Sequence, residues 1–300
     1  MGASYNRKFF DFIVFSNIFI ALCAVAMAGY TTHIFSLGFP PPHFAGFLFF
    51  STLASYSIHW YLTDETTEIT ASRTYWLTRH KWVHALFFLV SSVGCSYFLL
   101  KELNYIKWIL PAALLTLMYT APKFPFRPFI ALRKFILGKT ILLALMWTYI
   151  TSVLPFFIIE QPWKPAYMLF FINRFSLILP ICILFDLRDK DHDKSIGVKT
   201  FVTLLPNQKI KPFFNIFVVL NLISILLMHA WTPFSLVDNF ILLIPTVLTF
   251  LLYAHATKTK NDYLFYFILD GLMALSPILY FLKIYLIGTI FAKHLNIFFW

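Results

Sequence analysis

Charge is what this sequence has least of. Only 12% of its 300 residues are Asp, Glu, Lys or Arg, where soluble globular chains average about 25%, and 13 of them are acidic. With 60% apolar residues, 20% aromatic residues and a mean hydropathy of +0.76, too few polar side chains remain to cover a water-exposed surface. That excludes a soluble fold of this size and places the chain in a bilayer. Cysteine is equally sparse: Cys23, Cys95 and Cys182 lie far apart in apolar runs, which excludes a disulfide framework and a zinc site and leaves buried thiols. No internal repeat, low-complexity tract or long linker divides residues 1–300, which read as a single domain.

What is present is a series of apolar windows. A bilayer core of about 30 Å needs about 20 helical residues, and nine windows of that kind fall at 9–28, 44–62, 83–100, 105–121, 137–159, 166–186, 213–231, 236–256 and 263–290. The basic start MGASYNRKFFDF (1–12) runs into the first window with no A-x-A-like cleavage site, so it reads as a retained span. Short links such as GFPPPH (38–43) alternate with longer basic ones at 62–82, 122–136, 187–212 and 257–262. The amino end and these longer links hold most of the Lys and Arg, whereas the opposite side has only Lys101, Lys107, Lys164 and Lys293. Because Lys and Arg in short loops concentrate on the cytoplasmic side, this asymmetry predicts a cytoplasmic amino end and an odd number of spans. The net charge of +11 is then a topology signal, and no nucleic-acid partner is expected.

The acids cluster. Four lie in FDLRDKDHDKSIGVKTF (185–201) and three in TDETTE (63–68). Asp186, Asp189 and Asp193, spaced i, i+3, i+7, fall within about 60° of one helix face, with Asp191 off it. Three carboxylates on one stripe repel unless a cation sits between them, and oxygen-only ligands suit Mg²⁺, an ion commonly shared with substrate phosphates. The alternative is a solvated helix end whose acids pair with Arg188, Lys190 and Lys194.

The string DLRDKDHDKSIGVKT (186–200) resembles the second aspartate-rich motif of the UbiA superfamily of intramembrane prenyltransferases. MYTAPKFPFR (118–127) is similar to that family's Tyr-Ser-x-x-x-Lys segment. The resemblance covers nearly the whole chain. It implies an all-α, polytopic integral membrane protein of nine helices around a central cavity, with its active-site loops on the cytoplasmic face; in a bacterium the membrane would be the inner one. The implied reaction transfers a prenyl group from a prenyl diphosphate to a hydrophobic acceptor, assisted by Mg²⁺. Asp186, Asp189 and Asp193 would hold one Mg²⁺ and Lys123 the diphosphate, while Tyr119 would line the cavity near the reacting carbon. Arg127, Lys139 and Lys199 are further candidates for the anion.

The first motif departs from the family pattern. Where N-D-x-x-D-x-x-x-D would end the second helix and hold a second metal, this chain has SYSIHWYLTDETTE (55–68). In one register Tyr56, His59 and Asp64 match a variant beginning Tyr-x-x-Asp. In the other, Asp64 and Glu68 survive as an i, i+4 pair with Trp60 in place of Asn. The stretch SRTYWLTRH (72–80) resembles the Arg-bearing loop of such variants and favours the first register. Arg73 and Arg79 are expected to face the diphosphate or anionic headgroups. His59 is either a site residue or an interfacial ring packed with Trp60 and Tyr61.

Polar residues within spans should face a cavity or a partner helix. Asn17 is the candidate for an acceptor or phosphate contact, Asn173 and Arg174 are expected to be sheltered, and Asp270 and Lys283 are expected to be packing or oligomer contacts nearer the outer half. Two other readings remain: a non-catalytic relative that binds an isoprenoid or lipid, and a small transporter, which should show paired broken helices or repeats.

Overall fold

A computed structural model describes residues 2–63, 71–120, 139–195 and 197–297. Asp64, Glu68, Lys123 and Arg127 lie outside the described residues. Among those described there is no strand. The chain is an all-helical membrane protein in which, among the described residues, six helices are long and apolar enough to cross a bilayer, or seven if one bent pair counts as a single span.

The bent pair is α1 (Gly2–Phe15) and α2 (Ile18–Ile34), set at 61° to each other. The window 9–28 reads as one continuous span, and the structure corrects that reading. Asn17 adopts φ 71°, ψ 7°, a left-handed conformation that no helix can continue through but that Asn tolerates better than most residues. Helix α3 (Pro42–Tyr61) opens on proline, whose fixed φ suits a first turn. Its serines, histidines and tyrosines make it too polar to rank among the six.

Helix α4 (Ala71–Lys101) begins well before its apolar window, so Arg73 and Arg79 sit on a helix and not in a loop. It kinks at His80 (φ −124°, ψ 26°). A 3₁₀ turn (Leu103–Tyr105) leads into α5 (Ile106–Thr120). Then come α6 (Lys139–Ser152), α7 (Leu154–Ile158) and α8 (Pro165–Ser195), whose last turns extend past the apolar window and carry the aspartates. A short α9 (Phe201–Leu204), capped by Thr200, precedes α10 (Asn207–Trp231) and α11 (Leu236–Ala256). A π-helical turn (Leu264–Leu269) runs directly into α12 (Asp270–Ile297).

Helices α2, α12, α11, α10, α8 and α6 pack in a closed circuit, with α3 against α2, α4 against α3, and α5 against α6. Within the apolar window of α8, 67% of residues are buried, compared with 17% for α4. Helix α8 is therefore central and α4 peripheral. Leu86, Leu89, Val90, Val93 and Tyr97 on α4, and Ile216, Val219, Ile223 and Leu226 on α10, face outward as expected of lipid-facing surfaces. Arg174 and Asn173 are buried as expected: Asn173 donates to Ser224 (3.0 Å), Asn221 donates to the Asn173 carbonyl (2.6 Å), and Arg174 donates to the Met273 carbonyl. Lys283 pairs with Asp238 at 2.5 Å within the chain, a packing contact.

Candidate functional site

Helix α8 brings the second-motif acids to one end of the bundle. Asp186, Asp189 and Asp193 all lie on the last turns of α8, against the amino end of α6 and the carboxyl end of α5. Thr140 of α6 donates its hydroxyl to Asp186. Lys139, one residue earlier, lies 3.5 Å from Asp193 and within electrostatic range of all three aspartates and of Tyr119 on α5. Asp189 is taken by Arg188 in a two-pronged contact, at 2.6 Å from Nε and 3.1 Å from Nη2. The face expected to repel itself thus holds cations: Lys139 among the acids and Arg188 on Asp189.

Among the described residues no three His, Cys, Asp or Glu side chains stand close enough to hold one ion together. The donor chemistry nonetheless suits a hard dication. The acids offer only oxygen, and Asp193 Oδ2 is buried with the Lys139 ammonium, 3.5 Å away, as its partner among the described residues. Five carboxylates, Asp186, Asp189, Asp193, Asp262 and Asp270, thus gather with three cations, Lys139, Arg73 and Arg188.

The second half of the site assembles around Arg73, which the structure takes away from the headgroups. It is 3% exposed, and its guanidinium lies 3.8 Å above the Trp60 ring and 4.0 Å from that of Tyr266. Its Nη2 donates to Asn17 Oδ1 at 3.0 Å, and its backbone N–H donates to Asp262 at 2.7 Å. Burial holds the Arg73 guanidinium below the ordinary arginine value, while Tyr266 and Asp262 act in the opposite direction. Arg79, by contrast, is exposed and among the described residues meets the hydroxyl of Tyr75, at 3.1 Å.

Asn17 is buried and also lies 3.4 Å from His84 Nδ1, so the break between α1 and α2 joins α4 at two points. His59 stacks on Tyr119 at 5.3 Å and 14° and meets Trp60 edge-on, bringing the first-motif segment onto the Tyr119 segment. Tyr56 accepts a hydrogen bond from Trp147 Nε1 at 3.0 Å. Lys199 is exposed on the connection between α8 and α9 and reaches none of the acids.

Three residues join the site that sequence reasoning placed elsewhere or passed over. Arg188, read only as a surface pairing partner, is 9% exposed and lies over Phe265 and Tyr266 at 4.6 and 4.9 Å. Tyr266 comes from the π-helical turn, a feature with no clear sequence signature. Asp270, expected nearer the outer half, is within electrostatic range of both Arg73 and Arg188 and so belongs to the aspartate end. The one sequence signal was the cost of placing a carboxylate inside a span.

The arrangement gathers carboxylates, buried guanidiniums, one ammonium and a wall of Trp60, Tyr119, Tyr266 and His59 at one end of an apolar bundle. It can hold an anion and a hard cation side by side next to aromatic faces. Compared with known protein families, curated proteins and solved structures, the chain matches none.

Proposed function

We propose that this protein is a membrane prenyltransferase of the UbiA kind, multi-pass with nine spans, transferring an isoprenyl group from a prenyl diphosphate to a hydrophobic acceptor. The supporting observation is the meeting at one end of the bundle of Asp186, Asp189 and Asp193 with Lys139, Tyr119, Arg188 and Arg73. Four separate stretches of chain supply these residues. The three windows outside the six long apolar helices also hold helices: the bent α1–α2 pair, α3 and α5. The charge asymmetry argues for this end being cytoplasmic.

In the reaction the allylic C–O bond of the prenyl diphosphate breaks and its electron pair leaves with the diphosphate oxygen. The acceptor supplies the electron pair of the new bond and releases a proton. Arg73, Arg188 and Lys139 are placed to neutralise the charge that grows on the departing diphosphate, a preorganised electrostatic contribution. Tyr119, His59 and Trp60 offer ring faces to the allylic cation. Asp186, Asp189 and Asp193 would hold Mg²⁺, which when bound stabilises charge on phosphate oxygens. Exclusion of water by the surrounding helices keeps the cation for the acceptor.

The experiment is incubation of the purified protein with Mg²⁺, radiolabelled prenyl diphosphates and a membrane-lipid extract. Release of diphosphate with label in a lipid product is expected. Binding without release would favour the second reading, a non-catalytic isoprenoid-binding protein, for which the engagement of Asp189 by Arg188 is the specific observation.

A further inference from the structure

We propose that the protein holds a small monovalent anion of the halide kind deep in the bundle, between the Arg174 guanidinium of α8 and the Tyr30 hydroxyl of α2. On α8, Arg174 precedes Asp186 by twelve residues, about 18 Å, and follows the helix start at Pro165 by nine, about 14 Å. The site is therefore separate from the aspartate end, shares no residue with it and does not rest on the transferase reading.

Arg174 is 2% exposed and Tyr30 1%. One arm of the guanidinium has a structural task. Nη2 donates to the Met273 carbonyl of α12, which is open because the residue four positions on, Pro277, has no N–H to offer it. A carbonyl is a dipole and leaves the positive charge in place. Among the described residues no carboxylate lies within electrostatic range of that charge; the titratable group in range is the Tyr30 phenol. Asp238 is in range of Tyr30 but not of Arg174, and both its oxygens are taken, Oδ1 by Lys283 at 2.5 Å and Oδ2 by the Ser235 hydroxyl at 2.6 Å. Arg174 Nη1 and the Tyr30 hydroxyl remain, both buried without a hydrogen-bond partner.

A lone charge inside a span is costly, and so is each unmatched buried donor. An anion that accepts from both groups removes these costs together. The neighbouring rings hold Tyr30 in place for it: Phe170 lies at 5.9 Å and Tyr280 at 5.1 Å, and the Tyr280 hydroxyl is engaged by His33 at 3.1 Å. Little side-chain freedom is then lost on binding, which favours affinity. Charge selects the ligand. One guanidinium neutralises one negative charge, so a sulfate or phosphate dianion would keep an excess beside the apolar cluster of Tyr30 with Phe170, Ile241 and Leu242. Entry to so enclosed a site also strips the anion of water, a step that chloride, bromide and nitrate make more readily than multiply charged oxyanions. The bound anion would tie α2 to α8 and, through the Met273 carbonyl, to α12.

The test uses the full chain in detergent at constant ionic strength, with sodium gluconate replaced stepwise by chloride, bromide, nitrate or sulfate and thermal unfolding followed in each. Gluconate is monovalent but too large and too strongly hydrated for the site. Chloride, bromide and nitrate are expected to raise the melting temperature along a saturating curve, as linkage to one site requires. Sulfate should act only as an excluded salt does, rising without saturation. Tyr30→Phe is the discriminating variant. It removes a hydroxyl that has no partner in the protein, so it should melt with the parent in gluconate and lose roughly half or more of the chloride-induced rise. Arg174→Gln should abolish the rise. Equal stability of the unmodified protein in gluconate and chloride, a rise that does not saturate, or a Tyr30→Phe variant that keeps the whole rise would each overturn the site, and none of these depends on whether the arginine variant folds.

Discussion

Asn17 Oδ1 accepts a hydrogen bond from Arg73 Nη2 at 3.0 Å, tying the left-handed break between α1 and α2 to the first turns of α4. The contact explains why a non-glycine residue occupies a conformation with φ of 71°. Glycine would meet the backbone requirement and leave the arginine without its amide acceptor.

The two demands on Asn17 separate by substitution. Asn17→Gly loses a hydrogen bond to a charged group, about 1.5–3 kcal/mol, with no backbone strain. Asn17→Ala loses the same bond and adds about 1 kcal/mol of left-handed strain. The expected order of melting temperatures in detergent is parent, then Gly, then Ala. An alanine variant as stable as the glycine one would mean that the break does not depend on the conformation of this residue.

Lys139 stands among three carboxylates whose other partners among the described residues are Thr140 and Arg188. Replacing it by Gln leaves those acids to repel one another, so the variant should be less stable in EDTA and should gain more from Mg²⁺. The Mg²⁺-induced rise in melting temperature is expected to grow roughly twofold, as ligand linkage requires when the ion binds the folded state more tightly. A smaller rise than in the parent would show that Lys139 helps to seat the ion.

His59 and Tyr119 stack at 5.3 Å, a contact worth about 0.5–1.5 kcal/mol beyond burial. His59→Phe should retain it and His59→Asp should lose it, which a thermal melt resolves. In the register that aligns His59 with a lost motif acid, His59→Asp keeps or raises Mg²⁺-dependent transfer despite its lower stability. A clear fall in transfer would give the imidazole a role of its own.

Much of this was legible in the chain. Apolar windows locate helices because lipid demands long apolar runs, and each of the nine coincides with helical structure. The aspartate stripe was visible because acids are so scarce that four within 17 residues stand out. The break at Asn17 was not, since an apolar window carries no mark of a left-handed residue. SRTYWLTRHKW reads as a link because its charges suggest solvent. Arg73 is nonetheless buried, because its partners Asn17, Asp262 and Tyr266 arrive from the far ends of the chain. Tertiary partners, invisible to local pattern, decided the places of Arg73, Arg188 and Asp270.

The closeness of α3 and α4 rests on two reciprocal notches. Phe98 of α4 lies over Gly46 of α3, Phe50 of α3 lies over Gly94 of α4, and the two rings stack at 5.8 Å. A methyl group at either glycine would come within 2.7 Å of the facing ring. At Gly46 the nearest atom is Cζ, the tip of Phe98, which can swing aside. At Gly94 it is Cγ of Phe50, close to the backbone and less free to move. Overpacking of this kind costs about 1–3 kcal/mol, so Gly94→Ala should destabilise more than Gly46→Ala. Phe50→Leu in the Gly94→Ala background should restore part of the loss, seen as a coupling in a double-mutant cycle. Because α3 carries Trp60 and α4 carries Arg73, wedging the pair apart should also pull the guanidinium off its ring. A stable Gly94→Ala variant would show that the two helices are held together by something other than these notches.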